Sequence, residues 1–180
     1  MNKLKAVPLT NNTAKINQQI SDLMSQCFKI EVQVLEDAKL PSKAHASDAG
    51  FDLYATDDVT LYPGQVIKHP LNIKMKLPKG TWAEITTKSG LGSKGQLVYA
   101  GVIDQDYRGV VHVIMTNVNL NEIDSTGNLV ARTKPIVIKK GQKLAQLVMN
   151  PYSDQYFMEQ VDNVDSDTAR GSGGFGSTGA

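Results

Sequence analysis

Residues 51–76 read FDLYATDDVTLYPGQVIKHPLNIKMK, and the chain's architecture turns on this stretch. Three short apolar runs, at 51–55, 59–62 and 65–76, follow one another with Pro63-Gly64 as a turn signal between the second and third. None is long enough to read as a helix with a buried stripe, so the reading is strands. The same texture begins upstream, where Lys29-Ile30-Glu31-Val32-Gln33-Val34 alternates polar and apolar with a period of two. It continues downstream in runs at 81–86, 96–99, 109–117, 129–138 and 143–150, with Pro78-Lys79-Gly80 and Lys140-Gly141 as further turns. Many short strands at such spacing predict an all-β sandwich or barrel. No fixed-period repeat is present.

Residues 13–27 depart from this pattern. Ile16, Ile20, Leu23, Met24 and Cys27 recur at spacings of three and four and share one helical face, with Asn12 or Thr13 as the expected cap. The opposite face is polar, so the helix is expected to pack on something. The 180 residues suffice for one domain with a real core. A net charge of +1 directs no strong field at nucleic acid or acidic membranes. One cysteine, Cys27, cannot staple the chain. No apolar run approaches a membrane span and the first fifteen residues lack a signal-peptide core, so a cytoplasmic protein is expected.

Four segments carry candidate chemistry, each with a plainer alternative. The last eleven residues, RGSGGFGSTGA, read by composition as a flexible tail. They are not a P-loop, having no lysine and no following helix. Their glycines nevertheless admit backbone N–H groups to phosphate oxygens, Ser177 and Thr178 add hydroxyls, Arg170 offers a fork and Phe175 a stacking face, so the tail also reads as a lid. In Gly101-Val102-Ile103-Asp104-Gln105-Asp106-Tyr107-Arg108-Gly109, Asp104 follows an apolar trio and is expected partly buried at a strand end. A carboxylate there suits a general base, with Tyr107 facing the same side; the plainer reading is a solvated hairpin turn. Lys88-Ser89-Gly90-Leu91-Gly92 sets a Ser-Gly step beside a cation, a phosphate cradle or an ordinary turn. Gln146 interrupts the apolar run 143–150 and needs partners, structural or ligand. His45, His69 and His112 have no metal-ligand spacing, and His45 and His69 read as surface or core-edge residues. Lys134, Lys139, Lys140 and Lys143 read as a solvated face.

Taken together and in order, Ala49 to Ala55, Lys88 to Gly92, Gly101 to Gly109, Gly141 to Val148 and Arg170 to Gly179 resemble the five motifs of the trimeric dUTPase family. The resemblance spans residues 28–180. It implies a distorted jelly-roll subunit of residues 28–168, a closing tail at 169–180 and a homotrimer with shared active sites. The implied activity is hydrolysis of dUTP to dUMP and pyrophosphate, which limits uracil incorporation into DNA and supplies dUMP for dTTP synthesis. Asp104 is then the general base. Gly101, Val102, Ile103 and the backbone of His112 read uracil, and Tyr107 excludes a 2′-hydroxyl. Lys88, Ser89, Gly90 and Gln146 hold the phosphates. Arg170 and Ser177 take the γ-phosphate, beside Gly176, and Phe175 stacks on the base. Mg²⁺ is carried by triphosphate oxygens and water, and Asp52 steadies the site without ligating the metal.

Two features depart from the family pattern. Lys88 stands where arginine is usual, keeping the charge and losing the planar fork. Residues 1–27 and about 118–138 are additions, the second read as an extended hairpin or surface insertion, and either suits a protein partner or a brace for the trimer. A dCTP deaminase of the same architecture needs a catalytic glutamate, and only Glu84 lies near the motifs. A silent nucleotide binder and a β-rich structural protein are the readings from other classes.

Overall fold

The structure, a computed structural model, describes residues 11–169 except 132, 154, 165 and 166. It is built almost wholly from short antiparallel strands. In chain order a helix α1 (Asn11–Cys27) leads into β1 (Glu31–Val34), β2 (Gly50–Tyr54), β3 (Val59–Leu61), β4 (Val66–Pro70), β5 (Ile73–Lys76) and β6 (Thr81–Thr86). A one-turn helix α2 (Ser89–Gly92) precedes β7 (Gln96–Tyr99), β8 (Val102–Ile103), β9 (His112–Asn117), β10 (Asn121–Ile123), β11 (Leu129–Ala131), β12 (Ile136–Ile138) and β13 (Lys143–Pro151). The main sheets run β2-β13-β6-β8 and β4-β9-β7, with pairs β1-β5, β3-β12 and β10-β11 beside them.

Side-chain alternation explains how these sheets close a core. On β9, Val113, Met115 and Asn117 are buried, while His112, Ile114 and Thr116 lie between them on the other face. Leu53, Leu61, Ile73, Ile138, Leu144 and Leu147 complete the apolar interior. Asn117 is buried among them without penalty. Its amide donates to Leu61 O at 3.1 Å, and its Oδ1 accepts from Asn119 N–H at 3.0 Å. A bulge at the head of β13 sets Lys143 opposite Tyr54 and Ala145 opposite Leu53, leaving Leu144 between them. Two consecutive residues, Leu144 and Ala145, are therefore both buried.

Several sequence expectations change. The run 65–76 is two strands, because Asn72 takes a left-handed φ of 50° and turns the chain, a conformation asparagine tolerates. The run 129–138 also divides. β11 pairs with β10, and β12 pairs with β3 beyond Pro135, which has no N–H to extend a ladder. The run 109–117 becomes a strand only at His112, since Val111 bonds instead to Ile73 O and Leu71 N–H. α1 begins at Asn11, so neither Asn12 nor Thr13 precedes it as the cap. Its apolar residues Ile16, Ile20, Leu23 and Met24 are exposed, and this chain alone does not cover them. Among the described residues no helix is long and apolar enough to cross a membrane.

His69 is a buried core residue, not a surface or core-edge one. Thr56 N–H donates to its Nε2 at 3.2 Å, and Thr56 Oγ1 lies 3.0 Å from the same nitrogen. An Nε2 that accepts an N–H carries no proton, so the ring is neutral. Burial, helped by the charge of His112 and opposed by Asp57, holds His69 below its ordinary value of 6.5. As pH falls below 6.5 the unfolded chain takes up a proton that the folded chain refuses, so stability declines from there down to the folded-state value. The slope reaches at most about 1.4 kcal/mol per pH unit. His69→Gln, which can still accept from Thr56, is expected to lose less thermal midpoint than the parent between about pH 7.5 and about pH 5.5. Calorimetry checks it, and equal losses would place the acid sensitivity elsewhere.

Candidate active site

Two groups of candidate residues lie at opposite ends of the β6 segment. The first is the turn that follows β8. Gly101 sits against β6 so closely that a Cβ there would stand 2.1 Å from Ile85 O. Ile85 N–H donates to Gly101 O at 2.8 Å, and β6 then pairs with β8. The turn is pinned at its other end by Gln105, whose Oε1 accepts from Gly80 N–H at 2.6 Å and lies 3.2 Å from Tyr152 Oη. Tyr107 folds back so that its hydroxyl donates to Val110 O at 2.9 Å, and its ring passes so near Gly109 that a Cβ there would meet Oη at 2.4 Å.

The result is a cavity of about 190 Å³ lined by Gly101, Val102, Ile103, Asp104, Tyr107 and His112, with Lys68 and Ile85 also on its wall. Asp104 borders a second cleft with Trp82, Gln105, Asp106 and Tyr152. Its carboxylate is exposed where a strand-end burial is expected from sequence, because the chain turns outward after the buried Ile103. Asp104 and Tyr107 do face the same cavity. His112 contributes from β9 with its Nδ1 2.8 Å from Val110 O.

The second group follows from strand register. Asp52 on β2, Gln146 on β13 and Thr86 on β6 lie directly opposite one another across the sheet. Gln146 donates through Nε2 to Thr87 O at 3.3 Å, and its Oε1 would lie 3.1 Å from a Cβ on Gly50. Two residues beyond Thr86, Lys88 leads into α2, where Ser89 and Gly90 are exposed. Lys88 Nζ donates to Asp52 Oδ1, and Lys143 Nζ lies 2.6 Å from Asp52 Oδ2. Asp52 is only 5% exposed. Its burial raises the carboxyl's proton affinity, but the hydrogen bonds from Lys143 and Lys88 outweigh that and hold it below the ordinary carboxylate range. Lys143 is held above its ordinary value by the same bond.

Lys143 is thus no part of a merely solvated face, because the register of β13 lays it over Asp52. Lys139 and Lys140 fit that expectation, with pairs to exposed Asp58 and Asp37 worth at most about 1 kcal/mol each. Sequence reading singled out neither Gln105 nor Lys143. A lysine three residues before Gln146 on one strand was the available signal for the second. Among the described residues no three His, Cys, Asp or Glu side chains converge as a metal site. Arg170, Phe175, Gly176 and Ser177 lie outside the described residues.

A family model described as dUTPase matches residues 36–179. A deoxyuridine 5'-triphosphate nucleotidohydrolase of Gloeothece citriformis is 39% identical over 156 residues, covering 84% of this chain and 97% of that protein. This chain belongs to the dUTPase family. Its sheets are the dUTPase jelly roll, similar to the Staphylococcus bacteriophage 80alpha dUTPase with dUPNHPP at a TM-score of 0.68 and 26% identity, covering 84% of this chain and 99% of that one. A variant dUTPase of phage phi11 of S. aureus, whose structure concerns a structural Mg(II) ion, is similar at a TM-score of 0.60 and 26% identity, over 75% and 97% of the two chains. Within a dUTPase, the cavity beside Asp104 and the row built on Asp52 fall on two of the segments singled out by sequence, Gly101 to Gly109 and Gly141 to Val148.

Proposed function

We propose that this chain hydrolyses dUTP to dUMP and pyrophosphate, with Asp104 as general base. The observation that carries the reading is an exposed carboxylate on the wall of a cavity whose other side is backbone from Gly101 to Ile103 and the ring of Tyr107. Peptide groups on such a wall offer fixed donors and acceptors to a pyrimidine edge, and the Tyr107 ring, locked by its bond to Val110, leaves a flat face for a sugar without a 2′-hydroxyl. Asp104 takes a proton from water as the water oxygen bonds to the α-phosphorus and the bond to the β-bridging oxygen breaks. The electron pair leaves with pyrophosphate. Lys88, Ser89, Gly90 and Gln146 bind the phosphate chain and neutralise charge as it builds on the leaving group. Arg170, Ser177, Gly176 and Phe175 close over the substrate, the first two on the γ-phosphate and Phe175 on the base.

Magnesium fits this donor set as a passenger of the substrate. The residues around the phosphate row offer ammonium groups and an amide, which suit phosphate oxygens, and the one buried carboxylate there is engaged by two lysines. The ion when bound neutralises the triphosphate and leaves the protein to orient it. We read Asp52 as steadying the row and not as a ligand.

The homotrimer is part of the same reading. Asp104 and Lys88 line no common cavity of the single chain, and the segment 155–164 extends exposed apolar side chains such as Tyr156, Phe157 and Met158. Both features suit a site completed between copies in the cytoplasm. We read residues 28–168 as the catalytic core, 169–180 as the lid, and 1–27 and 118–138 as additions to it.

Pyrophosphate release from dUTP with Mg²⁺, beside dCTP, dTTP and UTP, tests the reading. Release from dUTP alone is expected; retention of dUTP without release would make the chain a binder. Gly101→Ala is expected to lower kcat/KM for dUTP by about 100-fold, since the added methyl must push the hairpin off Ile85 O. The same assay reads it, and parent-like kinetics would remove that hairpin from the site.

A further inference from the structure

Asp52 is a carboxylate removed from water with one ammonium on each of its oxygens. Such an anion is costly to leave without a partner. If Lys88 were its sole cation, moving Lys88 to a phosphate would strand the buried charge, and the substrate's binding energy would have to cover that loss. With Lys143 on the second oxygen, the carboxylate stays paired wherever Lys88 points. Charge counting gives the same result. One carboxylate and two ammonium groups leave a net positive charge facing the phosphate chain, and one of each leaves none.

The backbone assigns the two lysines different parts. Lys143 rises from β13, hydrogen-bonded across to Tyr54 in the main sheet. Lys88 stands in extended conformation at the entrance to α2, immediately before the exposed Ser89 and Gly90. Its side chain is 26% exposed, so it has room to turn outward. Of the lysines near the end of the chain, Lys143 alone among those described pairs with a buried carboxylate; Lys139 and Lys140 meet exposed ones.

We propose that Lys143 is a positioning residue for phosphate binding: by holding Asp52 it frees the Lys88 ammonium to pass from the carboxylate to the substrate's phosphates. This rests on Lys88, Ser89 and Gly90 being the phosphate cradle. Lys143 touches no substrate in this role, and it acts through Asp52 and Lys88.

The test compares the full-length parent with Lys143→Gln, Lys143→Arg and Lys88→Gln. Readouts are dUTP turnover, binding of the non-hydrolysable dUpNHpp, and inhibition by dUMP, which lacks the two outer phosphates. Lys143→Gln is expected to raise the dUTP KM and the dUpNHpp Kd by about tenfold. Inhibition by dUMP should stay within about twofold and kcat should change less than KM. Lys143→Arg should restore most of the loss. Should the glutamine variant fail to fold, Lys143→His makes the comparison within one protein. Its dUpNHpp affinity relative to the parent should rise as pH falls through the imidazole range. Unchanged KM in Lys143→Gln, with the parent active and Lys88→Gln impaired, overturns the inference and leaves the cradle standing. Equal weakening of dUpNHpp and dUMP overturns it in favour of a structural role. Unimpaired dUpNHpp binding in Lys88→Gln removes the cradle itself, and the inference with it.

Discussion

Asp104→Asn is expected to bind dUTP at close to the parent affinity and to release pyrophosphate about 10²- to 10⁴-fold more slowly. The substitution keeps the size and shape of the side chain and removes only its capacity to take a proton. The cavity gives no reason for a wider effect. Asp104 is exposed, and the elements that shape the pocket are the Gly101 contact with Ile85 and the Tyr107 bond to Val110, neither of which involves its carboxylate. Titration with dUpNHpp separates binding from chemistry, and a single-turnover experiment measures the step itself. Parent-like turnover in the variant would end the general-base assignment. Loss of binding would mean instead that the carboxylate holds the substrate.

Ending the chain at Thr168 is expected to leave the fold intact and to lower kcat/KM by roughly 100-fold or more. The estimate combines a stacked aromatic, about 1–3 kcal/mol, with a charged hydrogen bond to phosphate, about 1.5–3 kcal/mol. The fold is expected to survive because the last strand closes at Pro151 and the described residues from 155 to 164 are all exposed where they carry a burial state. They bring little to the core. A thermal melt alongside the activity assay separates the two effects. If the shortened chain turned over dUTP at the parent rate, the tail would have no closing role. A large fall in thermal midpoint would mean that the end of the chain braces the fold.

The two experiments rest on different levels of evidence in the sequence. Local order was legible where punctuation was strong. β6 and β7 occupy the ranges read from sequence, 81–86 and 96–99, the first set off by Pro78-Lys79-Gly80. Asp104 and Tyr107 share a cavity as their spacing suggested. Features set by pairing across the sheet were hidden. The run 65–76 gives no period-based reason to break at Asn72; the break comes from a left-handed residue whose amide reaches Glu36 O. Lys143 looked like one of several solvated lysines, because only the register with β2 brings it over Asp52. His69 looked like an edge residue until Thr56, thirteen positions away, supplied the partner that allows a neutral ring inside. In each case the deciding contact lies far along the chain, where no local pattern carries it.

The bulge at the head of β13 makes the phosphate end of the site a matter of parity. Across that irregularity Lys143 opposes Tyr54 and Ala145 opposes Leu53, so one strand spends two steps where its neighbour spends one. Everything beyond keeps the phase this sets, with Ala145 and Leu147 turned inward and Gln146 placed against Asp52. A chain shortened by one residue at this point would have an even count. If the downstream register held, Gln146 would keep its row but Lys143 would lose its seat over Asp52; if the upstream register held, Gln146 would enter the core and Leu147 would face the phosphates. Substitutions can be absorbed here one at a time, whereas a single deletion forces a choice between the interior and the chemistry.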